Sequence, residues 1–233
     1  MKVIYKIYLI ISLLFVCANI EAQVAPKKRI TGDFKFGVNW AEMDVAGGNM
    51  YKDPKIGVII GGNVNYKLIS GFQLQSGFYV VKKGLRQSRK DTTEDTATGI
   101  VTKMDWKYVV DANYAQIPLN IGFEHFFTDQ FGLNINAGVY AAYGFKGKRK
   151  TEGTKTIIAG TSVTEVDLNV GETDTFVRGQ LSRFDYGVGF NIGAIYDIYS
   201  LTIGYDRGLR NVSDATDTNM KTRSTYVAVG FRF

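Results

Sequence analysis

The sequence predicts an all-β fold: an eight-stranded antiparallel transmembrane β-barrel with short turns at one end and long loops at the other. Three observations lead there. Apolar and polar residues alternate over most of the chain, as they do in strands whose side chains point to opposite faces with period two. Eight such stretches follow one another. The connections between them alternate between short and long. A soluble sandwich has no reason to sort its connections this way, whereas a membrane barrel keeps short turns inside and long loops outside.

The first 22 residues read as a secretory signal. Lys2 and Lys6 form a basic start, and Ile7 to Ala18 is an apolar run too short to span a bilayer. Ala22 supplies the small residue at the cleavage site, which places the mature start at Gln23 and leaves 23–233 as a single barrel domain. A lipid anchor on Cys17 is the rival reading, disfavoured by the bulk of Val16 before it. Cys17 is the only cysteine, so the mature chain is expected to lack disulfides and thiolate metal sites.

Composition agrees. The chain has 233 residues with 14 Tyr, 15 Phe, 26 Gly and only 3 Pro, enough for one barrel or sandwich. No later apolar run reaches the length of a membrane helix. The formal charge is +6; without Lys2, Lys6 and Glu21, 26 basic against 21 acidic side chains leave +5. A basic balance can indicate nucleic acid, but an exported chain seldom meets any, and none is expected as a partner.

Taken in order, the first strand covers Asp33 to Val45, with Phe34, Phe36, Val38 and Trp40 on its greasy face. The second covers Lys55 to Leu68, with Ile56, Val58, Ile60, Val64 and Tyr66 against Gly57, Gly61, Asn63 and Asn65. After a tight turn at 69–71, the third sets Phe72, Leu74, Phe78 and Val80 against Gln73, Gln75, Tyr79 and Lys83. The fourth, about Asp105 to Phe126, changes phase. Even positions are apolar up to Ala112, odd ones from Ile117 onward. One extra residue near Tyr114-Ala115 would reconcile the halves as a β-bulge, and Pro118 beside it fits, because proline cannot donate to a ladder.

The fifth strand is the cleanest, with Phe131, Leu133, Ile135 and Val139 opposing Asn134, Asn136 and Gly138. The sixth sets Tyr186, Val188, Phe190 and Ile192 against Asp185, Gly187, Gly189 and Gly193. The seventh sets Leu201, Ile203 and Tyr205 against Thr202, Gly204 and Asp206. The eighth is Thr225 to Phe233, with Val227, Val229, Phe231 and Phe233 opposing Ala228, Gly230 and Arg232.

The expected long loops are Ala46–Pro54, Ser88–Met104, 146–182 and Asn211–Lys221. The Thr, Gly and charged content of 146–182 suggests mobility, with 161–170 a candidate hairpin above the membrane. The expected short turns are 69–71, 127–130 and 198–200. Aromatic residues gather at both ends, as interfacial girdles do: Phe34, Tyr66, Phe72, Phe126, Phe127, Phe131, Tyr196, Tyr199 and Phe233 at the short turns, and Trp40, Phe78, Trp106, Tyr143, Phe145 and Tyr186 at the long loops.

The polar faces carry Lys35, Lys67, Lys83, Glu124, Asp185, Asp197, Asp206, Arg210 and Arg232. Charges in a low-dielectric interior are costly unless paired, and an eight-stranded barrel is just wide enough to be filled by side chains. The expectation is a lumen plugged by salt-bridged networks, with a narrow pore as the alternative. His125, the only histidine, sits by a short turn without triad spacing, so no catalytic residue is expected. The glycines at 187, 189 and 193 are read as making room where lumen side chains cross. Asp214 and Asp217 match no calcium-loop spacing and are read as solvated. No cofactor or metal is expected.

The basic run Lys146, Lys148, Arg149 and Lys150 lies where strands leave the membrane, near Lys82, Lys83, Arg86, Arg89 and Lys90. Solvated interfacial charge is one reading. Contact with phosphates of the outer-leaflet glycolipid is the other, since Lys and Arg suit phosphates.

Phe34-Lys35-Phe36-Gly37-Val38-Asn39, Tyr114-Ala115-Gln116-Ile117-Pro118-Leu119 and the terminal Phe231-Arg232-Phe233 resemble the PorT-like and OmpA-like outer-membrane β-barrel domains of Gram-negative cells. The resemblance implies that Tyr226, Phe231 and Phe233 form the C-terminal signal read by the barrel-assembly machinery, with Ala228 where that signal usually has Gly. It implies no catalytic residues. Some members assist a secretion system. The reading is therefore a monomeric outer-membrane barrel in contact with lipid and glycolipid, with a structural role or a protein partner at its outer loops. An accessory subunit of secretion, a narrow porin-like channel and a soluble ligand-binding barrel are its rivals.

Overall fold

The computed structural model describes residues 29–45, 51–214 and 219–233. The expected signal segment, Cys17 and Asp217 lie outside the described residues. Among the described residues there are eleven strands: β1 (Ile30–Val45), β2 (Tyr51–Asp53), β3 (Lys55–Lys67), β4 (Phe72–Asp95), β5 (Ile100–Phe126), β6 (Phe131–Ala159), β7 (Ser162–Asp167), β8 (Val170–Asp174), β9 (Phe184–Tyr196), β10 (Tyr199–Gly208) and β11 (Met220–Arg232). Eight of them, β1, β3, β4, β5, β6, β9, β10 and β11, pair antiparallel with their neighbours around a closed ring. Within the ring, closure leaves no unpaired edge, which is what lets strands cross hydrocarbon.

The ring shuts between its ends. Gly32 N donates to Phe233 O and Phe233 N to Gly32 O, both at 2.9 Å. The three turns on this side are short. In the first, Ser70 and Gly71 both take positive φ, 52° and 79°, the left-handed geometry of a tight hairpin.

Side-chain direction gives the solvent. Leu133 and Ile135 point outward with 44% and 42% exposure, while Asn134 and Asn136 between them retain 6% and 1%. The same inversion holds around the ring: Phe36, Val58, Ile117, Val188, Ile203 and Val229 face out, and Asn63, Gln75, Gln116, Asn191 and Thr202 face in. This is the polarity of a barrel standing in lipid.

The fourth predicted strand needs a correction. β5 does not slip; even positions from Val110 to Glu124 face inward throughout. The irregularity at Asn113/Tyr114 lies in the partner strand, where Asn113 pairs with Lys146 and Tyr114 with Gly144, leaving Phe145 as the extra residue. The sequence pattern reverses because the lumen changes character with height, polar below and apolar above. Pro118 stands where the ladder to β4 is interrupted, between Ser76↔Leu119 and Tyr79↔Gln116.

Two expected loops are also corrected. β4, β5 and β6 run 24, 27 and 29 residues, where a tilted membrane strand needs about 10. Their pairing continues from the membrane to Asp95↔Ile100 and Val101↔Ile158. β7 folds back on β6 through a turn at Gly160, and β8 pairs with β6 below it. The segments 88–104 and 146–174 are therefore mostly a sheet rising above the barrel, roughly 40 Å of strand at about 3.3 Å per residue. Backbone pairing satisfied along its length holds together sequences whose composition suggested mobility.

Candidate functional site

The inner half of the lumen is an amide layer. Asp33 Oδ2 accepts from Asn63 Nδ2 at 2.9 Å and Asn65 Nδ2 at 2.7 Å. Gln75 Nε2 donates to Asn65 Oδ1 (2.8 Å) and Asn120 Nδ2 to Gln75 Oε1 (3.0 Å). Across the bore, Gln73 and Asn191 flank Asn136 at 2.9 Å each. Period-two alternation places these amides on one face of five strands, and neutral groups bonded to each other avoid the desolvation cost of charge. Gly193 leaves room here: a Cβ would stand 2.6 Å from Asn134 Oδ1, and that side chain would have to shift.

The charged residues form two groups rather than one network. At the short-turn end, Arg232 donates to Asp33 Oδ1 (2.9 Å) and Glu124 Oε2 (2.6 Å), and Lys67 Nζ lies 2.8 Å from Glu124 Oε1. Higher up, Lys83 Nζ meets Asp185 Oδ2 at 3.0 Å, with side chains 1% and 0% exposed. Thr222 Oγ1 adds a 2.8 Å bond to that carboxylate, and the ammonium lies over the rings of Tyr140 and Tyr114 at 4.5 and 5.3 Å.

Between the groups, Asp206 accepts from Gln116 Nε2 at 2.9 Å. Lys35, Gln116 and Asp206 line a cavity of about 30 Å³, room for about one water. Two of the expected lumen residues lie elsewhere. Asp197 is exposed in the β9–β10 turn at φ 54°, a left-handed position that Asp tolerates. Arg210 lies beyond the end of β10 at the outer rim, its guanidinium over Phe184 at 5.5 Å and Nη2 3.4 Å from Ser182 Oγ.

Above the Lys83–Asp185 pair the lumen is closed by hydrocarbon. Met43, Leu85, Val110, Ala112, Tyr114 and Tyr140 from the wall meet Phe176, Leu181 and Val212 from the outer connections. Segment 175–182 folds down into the mouth. Thr175 N donates to Gly147 O (3.2 Å) and Thr175 Oγ1 to Asp111 O (2.9 Å), Ser182 N donates to Val212 O (2.8 Å), and Leu181 bridges to Ser213. Phe176 sits edge-on to Tyr114 at 5.6 Å, over Gly144, where any side chain would overlap its ring. Sequence reasoning expected salt bridges and missed this apolar seal. Its trace was the run of apolar even positions at Trp106, Tyr108, Val110 and Ala112.

Trp106 is a related correction. It occupies the axis side of the raised sheet, with Gly153 making room beside it, and is not part of the lipid girdle. Tyr226 turns inward against Gly204, while Phe231 and Phe233 face out. Asp214 Oδ2 accepts from Gly179 N at 2.9 Å. His125 lies edge-on to Phe127 at 4.8 Å, beside a short turn. Within the basic run, Lys146, Lys148 and Lys150 hold outward positions, while Arg149 points to the axis side and donates to Thr173 Oγ1 at 2.8 Å.

Among solved structures the chain is similar to the attachment invasion locus protein Ail of Yersinia pestis in complex with the heparin analogue sucrose octasulfate, at 10% identity, covering 88% of this chain and 100% of that one with a TM-score of 0.40. It is similar to the N-terminal β-barrel domain of Pseudomonas aeruginosa OprF at 11% identity, 88% and 98% coverage and a TM-score of 0.35. Neisserial surface protein A follows at 11% identity, 87% and 97% coverage and a TM-score of 0.34. No curated protein sequence matches significantly. Residues 21–214 match the family model described as the outer membrane protein beta-barrel domain. The chain belongs to that outer-membrane β-barrel family.

Proposed function

We propose that this protein is a non-conducting, non-catalytic barrel, exported by a cleaved signal at 1–22, whose work is done by the sheet it raises above the membrane, through contact with a protein partner. The observation that carries this reading is the coupling of a sealed mouth to an ordered extension. The apolar layer around Phe176 closes the bore above a buried ion pair, which argues against a channel. Directly beyond it, β4–β8 continue as paired strands, which argues for a presented surface. Regular structure far from lipid serves no anchoring purpose.

The segments that resemble PorT-like proteins bear on the secretion alternative. Asn39 Nδ2 donates to Lys82 O and Ser224 Oγ at 3.0 and 3.1 Å, Gln116 binds Asp206, and Tyr114 belongs to the apolar seal. These side chains are spent on barrel packing, so the resemblance supports the architecture and is silent on secretion.

The test is a cross-linked pull-down from cells carrying either the intact protein or one with 89–106 and 150–174 replaced by short turns, together with planar-bilayer recording of the purified barrel. The expected result is a partner captured only by the intact protein and no discrete conductance. Steady channel openings, or a partner set unchanged by the deletion, would overturn the reading.

A further inference from the structure

We infer that the outward root of the raised sheet is a docking site for the phosphates of an outer-leaflet glycolipid, organised around Asp111. The position follows from register. Val80, Ala115 and Tyr143 form one row across β4, β5 and β6, facing lipid. The next outward rows are Lys82–Asn113–Lys146, then Gly84–Asp111–Lys148, then Arg86–Val109–Lys150. Each step of two residues climbs about 7 Å of strand. The basic rows thus begin one step above the outer aromatic band, where a bilayer changes from hydrocarbon to headgroup.

The charge is one-sided and partly fixed in place. Lys55 Nζ and Lys82 Nζ both bind the Asp111 carboxylate, at 2.8 and 3.0 Å, so a single acid holds two ammonium groups. Lys55 is nine-tenths buried and its stem crosses Gly84, where a Cβ would come within 2.8 Å of its Cδ. Lys148 pairs with Glu172 and Lys150 with Glu152, while Arg86 has no ion-pair partner among the described residues. On the axis side at the same height, β5 presents Val110, Ala112 and Tyr114 instead. Positive charge is therefore gathered where phosphates of a lipid in the outer leaflet would lie. Lys and Arg bind phosphate oxygens by charge-assisted hydrogen bonds.

Strand alternation makes the assignment sharp. Arg149 lies between Lys148 and Lys150 in sequence but on the opposite face, bonded to Thr173. A merely basic segment would use all three alike; a face-specific site excludes Arg149. The inference needs only the outer-membrane placement. It stands or falls apart from the protein partner and the sealed lumen proposed above.

The experiment measures retention of bisphosphorylated lipid A, and of the same lipid with both phosphates removed, on the full-length barrel by native mass spectrometry. The proteins compared are the wild type, the triple variant Lys82→Gln/Arg86→Gln/Lys146→Gln, and Arg149→Gln. The expected result is at least tenfold weaker retention of the phosphorylated lipid by the triple variant, no change for Arg149→Gln, and a tenfold preference of the wild type for the phosphorylated form. Equal retention of the two lipids by the wild type overturns the inference, as does undiminished binding by a folded triple variant or an equal loss from Arg149→Gln. Heat-modifiable gel mobility reports folding. If the triple variant fails to fold, the wild-type lipid preference and the Arg149→Gln arm still decide.

Discussion

Arg232 Nε lies 2.9 Å from Asp33 Oδ1, and the same two residues are register partners where the last strand meets the first. The other arm of the guanidinium reaches Glu124 on β5 at 2.6 Å, so one side chain ties the closing seam to the far wall. Both carboxylates are buried. Arg232→Gln leaves the buried Asp33 with amide partners alone and Glu124 with Lys67, and is expected to lower stability by about 3–5 kcal/mol, read from urea unfolding in lipid vesicles. A loss nearer the ~1 kcal/mol of a solvent-screened pair would show that water reaches this layer.

The Lys83–Asp185 pair supports a second prediction. Lys83→Met leaves the carboxylate with Thr222 and Tyr140 as partners and should cost about 3–5 kcal/mol, whereas Lys83→Met combined with Asp185→Leu should recover most of it. A double variant as unstable as the single would mean that the pair's worth lies in its tyrosine cage rather than its charge.

Phe176→Ala removes the centre of the mouth seal. Truncating a buried Phe costs about 3–5 kcal/mol, and unfolding in vesicles should show a loss in that range. Bilayer recordings should stay silent, because the ion pair and the amide layers below still fill the bore. Ion flow through Phe176→Ala would assign the whole barrier to segment 175–182.

Gly160 turns β6 into β7 at φ +60°, where an L side chain costs about 1–2 kcal/mol. Gly160→Val should speed hydrogen exchange in 154–167 and leave the global unfolding midpoint of the barrel in place. A shifted midpoint would mean that the raised sheet and the barrel unfold together.

Most of the barrel was legible in the sequence because period-two alternation is a local signal that lipid and lumen read from opposite sides. Leu133 and Asn134 needed no distant context. The upper third was not legible, because its interior is apolar at Val110, Ala112 and Tyr114 while its exterior is charged at Lys82, Asp111 and Lys146, so the alternation changes sign. Tyr114 and Val110 then look out of phase when they are only facing Phe176, a residue more than sixty positions away. The long strands were missed for a related reason. Beyond the membrane both faces meet water, so Lys90, Asp105 and Thr154 carry no periodicity although their backbones pair throughout. Among the expected lumen charges, Asp197 and Arg210 extended a face past the true strand ends, where φ and chain reversal take over from alternation.

The unequal climb of the strands has a geometric outcome. β9 to β11 and β1 stop near the rim, while β4, β5 and β6 tower over it. The opening is thus walled on one flank and bare on the other, like a jug with a raised lip. Whatever approaches from outside meets a fixed compass bearing, and a molecule resting against the wall would overhang Leu181 and Val212 without entering.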